Sequence, residues 1–172
     1  MVELLFGTVL GLLGYFYGFE WTFWKLAIAV FAAVAGGLID LETHRIPNKI
    51  TYPTVVMELL ISLVQWLSGG SQSEFFRSVL ASVLMGGGLV VLALASKGIG
   101  LGDAKLVAAI SPAVAAISLI SLFYFLLLAF ATGSVVGLGL IVAGKANRHS
   151  RIPFGPFLAI GLILLILASK WI

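Results

Sequence analysis

The stretch LVAAISPAVAAISLISLFYFLLLAFATGSVVGLGLIVAG, residues 106–144, indicates a membrane-embedded fold because no charged side chain interrupts it. A membrane-spanning helix needs about 20 mostly apolar residues. The stretch is therefore too long for one comfortable span, and a tight turn near Ser118–Ser121 would divide it into a helical hairpin. Its apolar residues are continuous and do not alternate with polar ones, which argues against a transmembrane β-barrel.

The composition of the whole chain agrees with this stretch. Of the 172 residues, 61% are hydrophobic and 10% are charged. Soluble globular proteins carry about 25% charged residues, so both a water-soluble domain and a disordered chain are excluded. The net charge of +3 indicates contact with anionic lipid headgroups, and no nucleic-acid partner is expected. The sequence contains no cysteine, which excludes a disulfide, a thiolate nucleophile and a cysteine-ligated zinc site.

Seven apolar segments have a length suited to membrane helices. They predict an all-α, polytopic transmembrane bundle of about seven spans (six to seven), with residues 1–172 forming a single membrane-embedded domain. The segments are 3–19, 22–40, 51–68, 77–96, 103–118, 120–143 and 153–170.

Basic residues gather in three predicted loops that lie on the same side of a seven-span bundle. These loops are 41–50, 97–105 and 144–152, and they hold seven of the ten basic residues. The seven are Arg45, Lys49, Lys97, Lys105, Lys145, Arg148 and Arg151. The positive-inside rule places this side in the cytoplasm. Lys25, Arg77 and Lys170 are expected on or toward the opposite side.

Three acidic residues fall within or at the ends of the predicted spans, where ionisable groups are rare and costly. Asp40 ends the second span and Asp103 begins the fifth, so both are expected at the cytoplasmic boundary. Glu58 lies well inside the third span, where it either hydrogen-bonds within the bundle or lines a water-filled cavity at the active site.

Two carboxyl groups at one depth suggest an aspartic protease dyad. Like charges a few ångströms apart cannot both ionise easily, so the pair would share a proton. One member then acts as general base toward a water, and the other acts as general acid toward the peptide carbonyl. This chemistry needs no metal or cofactor, and we expect none. The alternative is that each aspartate caps a helix or pairs with Arg45 or Lys105 at the interface.

Glycines precede the second aspartate. Gly98, Gly100 and Gly102 alternate immediately before Asp103. Glycine permits a close approach of two backbones, so a substrate backbone could lie against this segment.

The residues around both aspartates resemble a known family. The string GLGD at residues 100–103 is similar to the GxGD motif of membrane aspartyl proteases, and GLGDAKL resembles the second catalytic block of type IV prepilin peptidases. Asp40, followed by RIPN at residues 45–48, resembles the first block of that family. The string PFGPFLAIG at residues 153–161 resembles its late PFGP block.

The resemblance implies a multi-pass membrane aspartyl endopeptidase that cleaves the short basic leader of type IV prepilins or pseudopilins. It implies a location in the cell's inner (cytoplasmic) membrane with the active site toward the cytoplasm. By position, Asp40 and Asp103 match the catalytic pair. The positions that match substrate-binding or motif-supporting residues are Gly100, Gly102, Lys105, Pro47, Asn48, Pro153, Gly155 and Pro156. The implied partners are the substrate, with its leader and apolar N-terminal helix, and membrane lipids.

One feature of the family is missing from this sequence. The common bacterial enzyme also N-methylates the new N-terminus and has a cytoplasmic insert with a CxxC…CxxC zinc site. This sequence has neither cysteine nor such an insert, so we expect peptidase activity without methyltransferase activity. Three alternatives remain: an archaeal-type preflagellin peptidase, a small proton- or ion-coupled transporter, and a non-catalytic membrane scaffold.

Overall fold

A computed structural model of the chain describes residues 2–95, 100–145 and 152–171. These residues contain no β-strand, and the all-α prediction is confirmed. The helices, in chain order, are α1 (Val2–Tyr17), α2 (Trp21–Thr43), α3 (Asn48–Leu67), α4 (Gln72–Ala95), α5 (Leu101–Ile117), α6 (Leu119–Val142) and α7 (Gly155–Ala168).

The uncharged stretch forms a helical hairpin, as predicted. Ser118 has an extended backbone between α5 and α6, and its Oγ accepts a hydrogen bond of 3.2 Å from the Ser121 N–H. A serine in this position satisfies one of the N–H groups that a helix leaves free at its start.

Helix length separates the seven helices into two groups. In the described part of the chain, α2, α3, α4 and α6 are long and apolar enough to cross a membrane. Helix α7 has 14 residues, which is about 21 Å against a bilayer core of about 30 Å. It is shorter than the predicted 153–170 because it begins at Gly155 and ends at Ala168, two residues inside that range at each end. The chain is thus a multi-pass helical membrane protein, and crossing by all seven helices stays a prediction.

Helix α5 occupies the centre of the bundle. It packs against α2, α3, α4 and α6, and most of its side chains are buried. Small side chains allow these close contacts: a Cβ at Gly86 of α4 would collide with Ala108 of α5. Helix α2 ends, and α5 begins, at the same end of the bundle, which brings Asp40 and Asp103 to one level.

Two charged residues are buried inside the bundle. Lys25, expected on or toward the side opposite the aspartates, is only 2% exposed, and its amine is satisfied there by Gln65. Glu58 is fully buried, and neither carboxyl oxygen accepts a hydrogen bond from any described residue. The expectation that Glu58 hydrogen-bonds within the bundle is therefore wrong.

Candidate active site

Asp40 lies in the last turn of α2 and is 5% exposed. Its Oδ2 accepts a hydrogen bond of 2.9 Å from the backbone N–H of Gly155, the first residue of α7. The free N–H groups and the dipole at a helix N-terminus favour a negative charge nearby. Helix α7 therefore orients the Asp40 carboxyl group.

Two glycines make this contact between α2 and α7 possible. A Cβ at Gly155 would lie 3.0 Å from Asp40 Cβ and 3.2 Å from Gly37 Cα. A Cβ at Gly37 would in turn lie 3.1 Å from the carbonyl oxygen of Gly155. Side chains at either position would push the helices apart. Sequence reasoning missed Gly37, although its place about one helical turn before Asp40 puts it on nearly the same face.

Asp103 is the third residue of α5 and is 7% exposed. Its Oδ2 accepts a hydrogen bond of 3.0 Å from the N–H of Gly100, whose extended backbone precedes the helix. Asp103 therefore caps its own helix, while Asp40 caps α7. Among the described residues, no ion pair joins either aspartate to Arg45 or Lys105.

Both aspartates line one pocket of about 300 Å³ at this end of the bundle. The two carboxyl groups are near enough to interact electrostatically. The pocket is lined by Asp40, His44, Arg45, Ile46, Gly100, Leu101, Gly102, Asp103 and Lys105. The structure thus brings together both predicted catalytic residues and three predicted supporting residues, and their roles in catalysis stay predictions.

The loop between α2 and α3 packs over the start of α5. His44 takes a left-handed conformation (φ 54°) that ends α2, and its N–H donates to the Asp40 carbonyl oxygen. Ile46 is buried against Gly102, where a Cβ would lie 3.3 Å from the Ile46 backbone nitrogen. Pro47 is extended and immediately precedes α3. The glycine at position 102 therefore lets this loop lie directly beside Asp103.

Lys105 joins the pocket to the start of α3. Its Nζ donates a hydrogen bond of 3.0 Å to Oδ1 of Asn48 and lies 5.5 Å from the centre of the Tyr52 ring. These contacts fix the first turns of α3 and α5 relative to each other. Asn48 therefore supports the site from outside the pocket lining.

The remaining predicted residues lie around the pocket or outside the residues that the structure describes. Pro153 and Pro156 flank Gly155 in the turn before and at the start of α7, and neither lines the pocket. Glu58 does not line it either, so the expectation that it faces the active-site cavity is wrong. The predicted residues outside the described ones are Lys97, Gly98, Arg148 and Arg151.

The arrangement is suited to acid–base chemistry. Two buried carboxyl groups share a pocket, and each is held by one backbone N–H. Across the described ranges, no cluster of three or more histidine, cysteine or acidic side chains could hold a metal ion. The groups that can transfer protons in this pocket are therefore the two aspartates, together with His44 and Lys105.

Comparison with known proteins identifies the family. The sequence profile of the type IV leader peptidase family matches residues 26–142, which include both aspartates. The chain belongs to the type IV leader peptidase family. Within that match lie the end of α2, the GLGD segment and the loop that packs over it.

Individual members of the type IV leader peptidase family align with most of the chain. The prepilin leader peptidase/N-methyltransferase of Stutzerimonas stutzeri is 26% identical over 162 residues, which are 93% of this chain and 55% of that protein. The protein of the same name from Aeromonas hydrophila is 34% identical over 137 residues, covering 74% of this chain and 43% of that protein. The Bacillus subtilis protein of that name is 26% identical over 169 residues, covering 94% and 62%. The chain thus spans between 43% and 62% of the length of these relatives. No solved structure matches the chain significantly.

Proposed function

We propose that the chain is a membrane aspartyl endopeptidase that cleaves the leader peptide of type IV prepilins or pseudopilins. The observation that carries the proposal is the pocket that two buried aspartates from different helices share. Membership of the type IV leader peptidase family supports the substrate class, because its relatives carry the name prepilin leader peptidase.

In the proposed reaction, Asp40 and Asp103 hold one proton between them. The ionised carboxylate takes a proton from a water molecule, whose oxygen forms a bond to the carbon of the scissile carbonyl. The protonated carboxyl group gives its proton to the carbonyl oxygen. The C–N bond then breaks, and the leaving amine takes the proton that came from the water. As the carboxyl product forms, the proton on the former carbonyl oxygen returns to the carboxylate that donated it, so the two aspartates again share one proton. Water is the only co-reactant.

Backbone hydrogen bonds prepare both carboxyl groups for this reaction. Each Oδ2 accepts one N–H, from Gly155 for Asp40 and from Gly100 for Asp103. Fixed donors of this kind need no rearrangement when charge moves between the two groups. Gly100 and Gly102 both line the pocket, so a substrate backbone can approach their main chain beside Asp103.

The charge distribution supports an active site that faces the cytoplasm. Arg45, Lys49, Lys105 and Lys145 all lie at the end of the bundle that holds the pocket. In membrane proteins an excess of basic residues in short loops marks the cytoplasmic side. An inner-membrane location follows, with the apolar helix of the substrate in the bilayer and its scissile bond at the pocket.

Isosteric replacement of each aspartate tests the proposal. Asp40→Asn and Asp103→Asn keep an oxygen that accepts the Gly155 or Gly100 N–H but cannot exchange the proton. We expect each to lower the cleavage rate by at least about 10²–10⁴-fold, the usual contribution of a general acid or base. Purified protein is incubated with a prepilin in detergent, and the product mass is measured.

Glu42→Gln is the matched control, because Glu42 is exposed near Asp40 and does not line the pocket. It should cleave like the unmodified protein. Folded Asp103→Asn protein that still cleaves at the normal rate would refute the dyad. Cleavage of a preflagellin, and not of a prepilin, would retain the dyad and change the substrate class.

A further inference from the structure

The buried face of α3 is polar, which is the reverse of the usual pattern for a helix in a protein core. The buried residues of this helix are Thr51, Thr54, Glu58 and Ser62. Their spacing of three and four residues places them on one face. The opposite face exposes apolar side chains such as Val56, Leu60 and Val64. Because buried polar groups are costly without partners, a polar stripe inside a membrane bundle calls for a function.

The stripe continues to the end of the bundle opposite the aspartate pocket. Lys25 Nζ donates a hydrogen bond of 2.9 Å to Gln65 Oε1, and Gln65 Nε2 donates one of 2.6 Å to Glu74 Oε2. Glu74 and Arg77 lie 3.9 Å apart with about a third of each side chain exposed, at 40% and 33%. We call these polar residues the α3 seam: Glu74 at the surface, Gln65 and Lys25 joined to it by hydrogen bonds, and Glu58, on which the charge of Lys25 acts without a hydrogen bond.

Two of the three hydroxyl groups on the buried face of α3 are already occupied. Thr54 and Ser62 each donate to a carbonyl oxygen of their own helix, at 2.8 and 2.9 Å. Both oxygens of Glu58 and the Oγ1 of Thr51 have no hydrogen-bond partner in the described part of the chain. The Glu58 carboxyl group is therefore the main group of the seam that can still accept a hydrogen bond or a proton.

We propose that Glu58 is a proton-binding site that water reaches along the α3 seam from the end opposite the aspartate pocket. Binding is a simple transfer: hydronium gives one proton to a Glu58 carboxylate oxygen, and neutral water remains. The reverse step releases the proton by the same path. This inference stands apart from the proposed peptidase activity and uses neither Asp40 nor Asp103.

The charged groups around Glu58 favour proton exchange at its carboxyl group over a permanent ion pair. Lys25 of α2 is the charged group that acts on Glu58, while its amine bonds to Gln65. No contact ion pair between Lys25 and Glu58 occurs among the described residues. From α4, the charged groups are Glu74 and Arg77, which act on Lys25 at the outer end of the seam. Helix α5 contributes no titratable residue between Lys105 and its end at Ile117.

Infrared spectroscopy of the full chain in lipid nanodiscs tests the proposal. A protonated carboxyl group in an apolar site gives a distinct C=O stretching band, which shifts when its proton is exchanged for deuterium. We expect a band that is lost in Glu58→Gln and retained in Glu42→Gln, whose carboxyl group is exposed. In the unmodified protein the band should decrease as the pH is raised, and it should shift after transfer to D2O.

A second variant keeps Glu58 intact and tests the path. Gln65→Leu removes the amide that joins Lys25 to Glu74, and it should slow the shift of the band in D2O. Absence of any Glu58-dependent acid band at mildly acidic pH would overturn the proposal, because Glu58 would then be a fixed carboxylate. A band that never shifts in D2O would also overturn it, because water would not reach the site.

Discussion

Replacement of Gly155 by alanine tests whether the contact between α7 and Asp40 controls catalysis. The new Cβ would lie 3.0 Å from both Cβ and Oδ2 of Asp40. Carbon atoms pack best at about 3.5–4.0 Å, so α7 must move away from α2. Overpacking of this kind usually costs about 1–3 kcal/mol of stability. The same movement lengthens the hydrogen bond from the Gly155 N–H to Asp40, which is 2.9 Å in the structure.

The expected loss of rate follows from that hydrogen bond. A hydrogen bond to a charged group contributes about 1.5–3 kcal/mol. Since 1.36 kcal/mol corresponds to a tenfold change in rate, its loss in the transition state would lower kcat by about 10- to 100-fold. Initial rates of prepilin cleavage, measured by product mass over a range of substrate concentrations, separate kcat from KM. Thermal unfolding identifies a temperature at which the variant is fully folded.

Gly161→Ala is the matched control for this experiment. A Cβ at Gly161 would lie 2.8 Å from the Ala129 backbone nitrogen, so this change also overpacks α7, but against α6 and away from Asp40. It should lower the unfolding temperature and leave kcat unchanged where the protein is folded. A folded Gly155→Ala protein with normal kcat would show that α7 does not position Asp40.

Two further predictions concern packing and a second activity. Gly86→Ala should destabilise the protein by about 1–3 kcal/mol because the new Cβ would collide with Ala108. Gly87→Ala is the control and should be nearly neutral, because a Cβ there meets no atom within 4 Å. Thermal unfolding measures the stability of both variants, and equal stability would contradict the packing of α4 on α5. Incubation with prepilin and labelled S-adenosylmethionine should give no methylated product, and clear incorporation of label would show that the cysteine-containing insert is dispensable.

The depth of the two aspartates could be predicted from the sequence because a membrane limits where helices begin and end. Asp40 closes one apolar run and Asp103 opens another, so counting spans places both at the same surface. The residues IPN at 46–48 and the GLGD segment at 100–103 are both expected near the site, and Ile46 does pack against Gly102 there. The turn at Ser118 was predictable for the same reason, since the uncharged stretch exceeds the length of one helix.

The fold class and the approximate bounds of the seven helices are predictable from the chain alone, because local composition and the bilayer thickness act along the chain. The candidate pair follows from the position of both aspartates at the ends of apolar runs and from the resemblance of the residues around them to the type IV prepilin peptidases. The packing of the helices is what brings Gly155, 115 residues from Asp40, to a place where its N–H donates to that carboxylate. It also decided that Lys25 is buried and that the polar face of α3 is turned inward. Such contacts depend on how each helix is rotated and on how closely neighbouring helices approach. A small residue such as Gly37 allows a close approach, but its effect depends on which helix packs against it.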